Sequence, residues 1–261
     1  MEEAAEKNVL AVDVGNTVTK LGLFAGERLL GTWRLTTPER LTADEAWLQL
    51  TGALSALGVS AVDGAILGCV VPPLSDTWVE ALSRASASRP LVVGPGLKTG
   101  VRLRYDDPSE IGADRVADVV AARASYGAPV VVVDLGTTTN FEVVDQAGAF
   151  VGGIIAPGAA LGARSLNDAA ARLPMIELRQ PSTVIGRNTR SAMESGVVLG
   201  EVARIDGLLD AIAEETGQEA PVVLTGDSAR ELSALLRHQT TVDESLTLRG
   251  LHMLWETNQR R

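Results

Sequence analysis

The chain has 261 residues, enough for one large or two medium domains, and its 46% hydrophobic content can fill a sizeable core of mostly Val, Leu, Ala and Ile. With 33 acidic against 23 basic residues the formal charge is -10, which argues against a general nucleic-acid or anionic-membrane partner. It does not exclude phosphates, which a local set of N–H donors and metal ions can hold on an acidic protein. A single cysteine, Cys69, excludes an internal disulfide framework and points to a reducing cytoplasm.

The first eight residues, MEEAAEKN, are acidic and carry no apolar signal core. Residues 9–24, VLAVDVGNTVTKLGLF, place two β-branched runs around a tight polar turn and predict a β-hairpin. Gly15 lets the backbone approach a ligand, and Asn16, Thr17 and Thr19 can cradle phosphate oxygens. Asp13, ending a buried strand, is placed to hold a hydrated divalent cation against them. Lys20 either reaches phosphate or, by strand alternation, turns to solvent. A third strand follows over 29–35. Thr42-Ala-Asp-Glu45 is a capping box opening a helix with Ala46, Trp47, Leu50, Leu54 and Leu57 along one side, and Gly58 stops it. A buried strand over 64–71 contains Cys69 as apolar filler. A break at Pro72-Pro73, an amphipathic helix over 74–85 and a strand over 91–95 complete an α/β pattern with a mixed sheet.

Residues 95–115 are turn-rich and polar, with Asp106, Asp107, Glu110 and Asp114 against Lys98, Arg102, Arg104 and Arg115. They form either a solvated connection between domains or part of a site, since they run directly into a helix over 116–126. Gly112 and Ala113 leave room for a ligand beside Asp114. Residues 130–144 then repeat the first hairpin: Val130-Val-Val-Val-Asp134-Leu-Gly136-Thr137-Thr-Thr139 leads into a strand from Phe141 to Val144. One Asp-x-Gly-Thr is an ordinary Asx turn; two copies, each between strands, predict a duplicated phosphate-binding hairpin.

The stretch 147–163 is uncharged but holds five glycines and Pro157, so it reads as strand and loop and not as a membrane span. A helix over 159–173 ends at Pro174. The loop Ile185-Gly-Arg-Asn-Thr189 precedes a long helix over 191–215. Its apolar set, from Val197 and Val198 through Leu208, Leu209 and Ile212, is broader than one core-facing stripe requires and predicts a two-fold interface. A strand over 222–226, a helix over 228–236 and a last apolar pattern over 246–255 precede a frayed Arg260-Arg261 tail. His238 and His252 lie far from any Cys or His partner, so neither a histidine metal site nor a serine triad is expected.

The paired hairpins resemble those of the actin, sugar kinase and Hsp70 ATPase superfamily. From about Val9 to Leu254 the chain resembles the type III pantothenate kinases. The resemblance rests on Asp13-Val-Gly-Asn-Thr17, Thr32-Trp-Arg-Leu-Thr-Thr37, Val70-Val-Pro-Pro73, Lys98-Thr-Gly100, Tyr105-Asp-Asp-Pro108, Gly112-Ala-Asp-Arg115, the second hairpin, Gly152-Gly-x-Ile-x-Pro-Gly158 and Ile185-Gly-Arg-Asn-Thr189. It implies two related α/β domains of the actin-like ATPase (ribonuclease H-like) fold, residues 1–115 and 116–261, each a mixed sheet with flanking helices and one phosphate loop. It further implies ATP-dependent phosphorylation of pantothenate, the first step of coenzyme A synthesis, by a homodimer whose substrate pocket includes the partner chain.

In that resemblance Asp114 is the general base, and Tyr105, Gly112, Ala113, Arg115 and Thr189 bind substrate. Asp13, Gly15, Asn16, Thr17, Lys20, Gly136 and Thr137 bind ATP, with Mg²⁺ held by Asp13 through water. Asp134 takes a monovalent cation, K⁺ or NH₄⁺. Arg115 suits a bidentate bond to the pantothenate carboxylate or to Asp114; a plain ion pair with Asp118 or Glu110 is the alternative. A nucleotide-binding accessory protein of the same fold, as in the Bvg accessory factor group, is the alternative function. The chain departs from the family at Asn140 and Glu142, where an Ala-Thr-Thr pattern with a later aspartate is usual, and at Gly226-Asp227, where two glycines are usual.

Overall fold

A computed structural model gives the fold of residues 6–169 and 173–259. Residues 1–5 of the acidic N-terminus, 170–172 of the helix expected over 159–173, and the Arg260-Arg261 tail lie outside the described residues. The chain opens with strands β1 (Asn8–Val14), β2 (Val18–Ala25) and β3 (Arg28–Thr36), then helix α1 (Ala43–Ser55), β4 (Gly64–Cys69) and α2 (Pro72–Ala85). Two short strands, β5 (Leu91–Val92) and β6 (Arg102–Leu103), lead through a 3-10 turn at Pro108–Glu110 to α3 (Ala113–Tyr126). The second hairpin is β7 (Val130–Leu135) and β8 (Thr138–Val144), followed by β9 (Ala149–Pro157) and α4 (Ala159–Ala169). Next come α5 (Thr189–Glu194), a π-helical segment Ser195–Leu199, α6 (Gly200–Thr216), β10 (Val222–Thr225), α7 (Ala229–Ser233), β11 (Thr240–Val242) and α8 (Leu246–Gln259).

By contact the chain divides into two compact units, one of the described residues in Met1–Ser125 and Ser245–Arg261, the other of Tyr126–Glu244. Helices α3 and α8 therefore go with the first unit, whereas the expected boundary at 115/116 puts both in the second domain. Hydrophobic periodicity along a chain cannot reveal that its last helix returns to the first sheet.

In the first unit the sheet order is β3-β2-β1-β4-β5, with β1 antiparallel to β2 and parallel to β4. β1 is apolar over nearly its whole length because both of its faces are covered. On one face Leu10, Val12, Leu21 and Leu23 pack with Leu50 and Leu54 of α1 and Leu74, Trp78 and Leu82 of α2. Thr42 and Glu45 form the expected reciprocal cap of α1, worth about 0.5–2 kcal/mol. The prolines at 72 and 73 open α2 instead of breaking the chain, because the first helical turn has no use for their missing N–H groups. α8 packs on the other face, where His252 stacks on Phe24 with ring centroids 4.3 Å apart.

The second unit repeats the plan. Its strands run β9-β8-β7-β10-β11, with β7 antiparallel to β8 and parallel to β10, so each strand matches its counterpart in the first sheet. Val131, Val133, Leu135 and Phe141 pack with Val202, Ile205 and Leu209 of α6 and with Leu224 and Leu232. Leu208 and Ile212 pack against the same cluster. The breadth of that helix's apolar set is thus accounted for inside its own unit, and the motive for placing a two-fold interface there falls away.

His252 gives a pH test of this packing. Burial pushes its imidazole below the usual value of 6.5, outweighing the nearby Glu256 and Glu27 charges that pull it up. The unfolded chain therefore takes up the proton first as pH falls. The stabilising contribution is complete above 6.5 and is lost as pH drops from there toward the folded value. Replacing His252 with Phe keeps the ring on Phe24 and removes the proton uptake. Melting midpoints followed from pH 8 to 5.5 should fall less steeply for His252→Phe than for the parent; parallel curves would refute the assignment.

Candidate active site

Both hairpins deliver an aspartate at the last-but-one residue of a buried strand. Asp13 pairs across the hairpin with Lys20, and Asp134 pairs with Asn140. Gly15 closes the first turn by donating its N–H to Val18 O at 3.1 Å, and Gly136 closes the second onto Thr138 O at 3.0 Å. Those two amides are engaged in the turns themselves. The second connection is one residue shorter, with Gly136 and Thr137 alone between β7 and β8.

Asn16 and Thr17 are exposed at the tip of the first turn, where a phosphate can reach them. Thr19 is not at the tip: it is buried, and its hydroxyl shares a 2.8 Å hydrogen bond with the Thr37 hydroxyl. Thr37 also donates its N–H to Thr17 O at 2.9 Å, so the end of β3 braces the turn. This corrects the expectation that Thr19 cradles phosphate. Lys20 is half-buried and stands directly opposite Asp13, a cation beside a carboxylate that is 7% exposed. Cys69 ends β4, the strand beside Asp13; burial first, and the Asp13 charge after it, push its thiol up.

α3 begins three residues earlier than the spacing predicts, so Asp114 lies inside its first turn. The positive end of the helix dipole favours a carboxylate there. Asp114 Oδ1 accepts the Arg115 N–H at 2.8 Å, and a Cβ on Gly112 would collide with the same oxygen. A larger residue at Gly112 would thus have to displace that carboxylate oxygen. A cavity of about 620 Å³ is lined by Gly112, Ala113, Cys69, Thr99, Leu103 and Glu110, among others. Tyr105, Asp114 and Arg115 stand outside its walls. Arg115 is buried and Tyr105 half-buried, both in the first unit, while Thr189 is exposed at the start of α5 in the second, next to its Asn188 cap.

Sequence reasoning missed a row of oxygens across the second sheet. Thr225 on β10, Asp134 on β7 and Asn140 on β8 are direct register partners and so project from the same face. Among the described residues, Asn140 Oδ1 and Thr225 Oγ1 are buried without a hydrogen-bond partner. Gly226, at φ 89°, passes so close that a Cβ there would strike the Asp134 carboxylate. The polar residue in place of an apolar one at Asn140 was the available signal; Thr225 required the register. No group of three or more His, Cys, Asp or Glu gathers as a metal site among the described residues. A larger hollow of about 810 Å³ lies at the opposite edge of the second sheet, beside Pro129, Pro221, Ile212 and His238, and contains none of the expected residues.

A duplicated mixed sheet with an Asp-x-Gly hairpin in each copy is the architecture of actin-like nucleotide-binding proteins and sugar kinases. MreB 5 of Spiroplasma citri, solved with AMPPNP, matches 97% of this chain and 97% of its own at a TM-score of 0.54 and 10% identity. A Campylobacter jejuni protein described as a Baf family transcriptional activator matches 97% of this chain and 100% of its own, with a TM-score of 0.60 and 17% identity. Likenesses at these identities establish the fold alone. The family follows from the sequence. The type III pantothenate kinase family model matches residues 9–211, and a type III pantothenate kinase of Dehalococcoides mccartyi is 40% identical over 260 residues, covering 99% of both chains. The chain belongs to the type III pantothenate kinase family.

Proposed function

We propose that this chain transfers the terminal phosphoryl group of ATP to the terminal hydroxyl of pantothenate, with Asp114 as the general base. One observation carries the base assignment: a carboxylate held in the first turn of α3, next to the cavity-lining Gly112 and Ala113. The likeness to the Baf family protein adds no weight to the accessory alternative, since it speaks to fold alone.

Phosphoryl transfer needs aligned oxygens and neutralised charge more than covalent chemistry from the protein. In this reading Asp13, Gly15, Asn16, Thr17 and Lys20 hold ATP from the first hairpin, and Gly136 and Thr137 from the second. The Asp13 carboxylate is nearly buried at a strand end, where a hydrated cation is a fitting partner. Mg²⁺ held there through water would offset phosphate charge. Asp114 orients the attacking hydroxyl and accepts its proton through the oxygen not bonded to the Arg115 N–H. Tyr105, Gly112, Ala113, Arg115 and Thr189 bind pantothenate, with the Arg115 guanidinium suited to its carboxylate. A reducing cytoplasm, where ATP is made and Cys69 stays a thiol, suits this chemistry.

Asp114→Asn preserves shape and removes the proton acceptor. Its kcat should fall on the order of 10²–10⁴-fold with ATP affinity unchanged. A helix-capping role would instead cost about 0.5–2 kcal/mol of stability and leave turnover of the folded fraction intact. A lowered melting midpoint with normal kcat on one preparation would sink Asp114 as the base.

We also infer a monovalent cation at Asp134. The unpartnered Asn140 and Thr225 oxygens beside it suit K⁺ or NH₄⁺, which take neutral oxygens along with one carboxylate. When bound, the cation would balance charge next to the second phosphate turn. Exchanging K⁺ for Na⁺ or Tris at equal ionic strength should lower the rate. A rate indifferent to that exchange would assign Asp134 to protein partners only.

A homodimer completes the reading, and exposed apolar side chains support a surface for it. Val184 and Ile185 are 75% and 80% exposed, and Met175 and Leu178 lie on the same irregular stretch. The end of this stretch is tied to the π-helical segment, where Ser195 donates its hydroxyl to Val184 O at 2.5 Å. Exposed apolar residues just before Thr189 fit a partner surface. Ile185→Glu should sediment as a monomer with depressed pantothenate turnover, whereas a parent chain that is monomeric and fully active would exclude the dimer.

A further inference from the structure

Behind the second phosphate turn lies an ion pair, its carboxylate buried and its guanidinium partly exposed, that the proposed reaction does not use. Glu201 is 4% exposed, near the start of α6 and just after the π-helical segment, and it pairs with Arg204 one turn on. The pair reaches out to two other segments. The Thr139 hydroxyl, on β8 just beyond the turn, donates to Glu201 Oε1 at 2.5 Å. Arg204 Nη2 donates to Pro157 O, at the end of β9, also at 2.5 Å.

The next residue, Gly158, crosses the turn. Its N–H donates to Thr137 O at 3.1 Å, and a Cβ on it would stand 2.5 Å from Gly136 O and 2.8 Å from Thr137 O. The Gly136-Thr137 turn is therefore gripped from both sides. β8 is fixed through Thr139 and Glu201, and the crossing backbone is fixed through Pro157 and Arg204. A buried carboxylate is costly to strand, so Glu201 cannot shift from Thr139 and from the partly exposed Arg204 without losing partners it needs.

We propose that Glu201 and Arg204 are positioning residues that set the second phosphate turn for nucleotide, without touching it. This rests on the reading of Gly136 and Thr137 as ATP contacts. The pair carries no net charge, so its effect on nucleotide runs through geometry and not through added positive potential.

The test compares the full chain with Thr139→Val, which deletes only the hydroxyl, and with the double variant Glu201→Gln/Arg204→Met, which removes both charges together and strands neither. Mg-ATP affinity is measured by calorimetry, KM for ATP and for pantothenate separately, and the melting midpoint on the same samples. Misplacing a turn by a fraction of an ångström should weaken ATP by about 10- to 100-fold in the double variant, leaving KM for pantothenate within about twofold. Thr139→Val should weaken ATP in the same direction, and adding it to the double variant should cost little more, since the hydroxyl has then already lost its charged acceptor. Normal ATP affinity in folded samples of both variants, or equal losses for ATP and pantothenate, would overturn the proposal. A parent chain whose ATP affinity is unmoved by Gly136→Val would instead overturn the reading of the turn itself, so the two failures are told apart.

Discussion

Everything at the candidate site depends on one constraint: a carboxylate carried at the end of a fully buried strand. β1 and β7 are flanked by strands on both sides and are apolar almost throughout, so Asp13 and Asp134 occur where the covered strand reaches the edge of its sheet. At that edge the parallel neighbours β4 and β10 also end, and the carboxyl ends of parallel strands are where open α/β sheets take ligands. The glycine turn that follows each aspartate lets the chain reverse at once and return as an antiparallel strand. Placing the acid and reversing the chain are therefore one structural act, made twice.

The two copies are braced differently, and the bracing is where they diverge in chemistry. The first turn is longer, leaves Asn16 and Thr17 exposed, and is held by Thr19 and Thr37 hydroxyls at the end of β3. The second is tighter and is held by Gly158 and by bonds running back to α6. Lys20 stands opposite the first aspartate and Asn140 opposite the second. A cation of the protein thus accompanies one carboxylate, and neutral oxygens accompany the other. That contrast matches a proposed division of labour, with phosphate and hydrated Mg²⁺ at the first hairpin and a weakly hydrated monovalent ion at the second.

Local order was readable in the sequence wherever a residue's role is set by its neighbours in the chain. The hairpins, the Thr42–Glu45 cap and the duplication itself all rest on spacings of a few residues, and the structure has each of them. What escaped depends on register or on distant packing. Thr19 read as a phosphate donor because alternation does not reveal that Thr37 returns beside it. Thr225 was invisible because its neighbour Asp134 is 91 positions away along the chain, and only the β7–β10 register brings them together. Glu201 carries no local signal in the sequence; it is buried where α6 meets the Thr139 hydroxyl of β8. Strand β11 was missed because three residues are too few to show a period. The start of α3 was misplaced because Gly112 and Asp114 read as loop residues, although an acid in a first turn is well suited to a helix N-terminus.

The central claim is that this pair of hairpins serves transfer of phosphate to pantothenate. The most direct measurement is phosphorus NMR of the purified chain incubated with ATP, Mg²⁺, K⁺ and pantothenate. A new phosphomonoester resonance should grow in step with ADP, and only when pantothenate is present. ADP appearing equally fast without pantothenate, or no consumption of ATP by a folded chain that binds it, would contradict phosphate transfer to pantothenate.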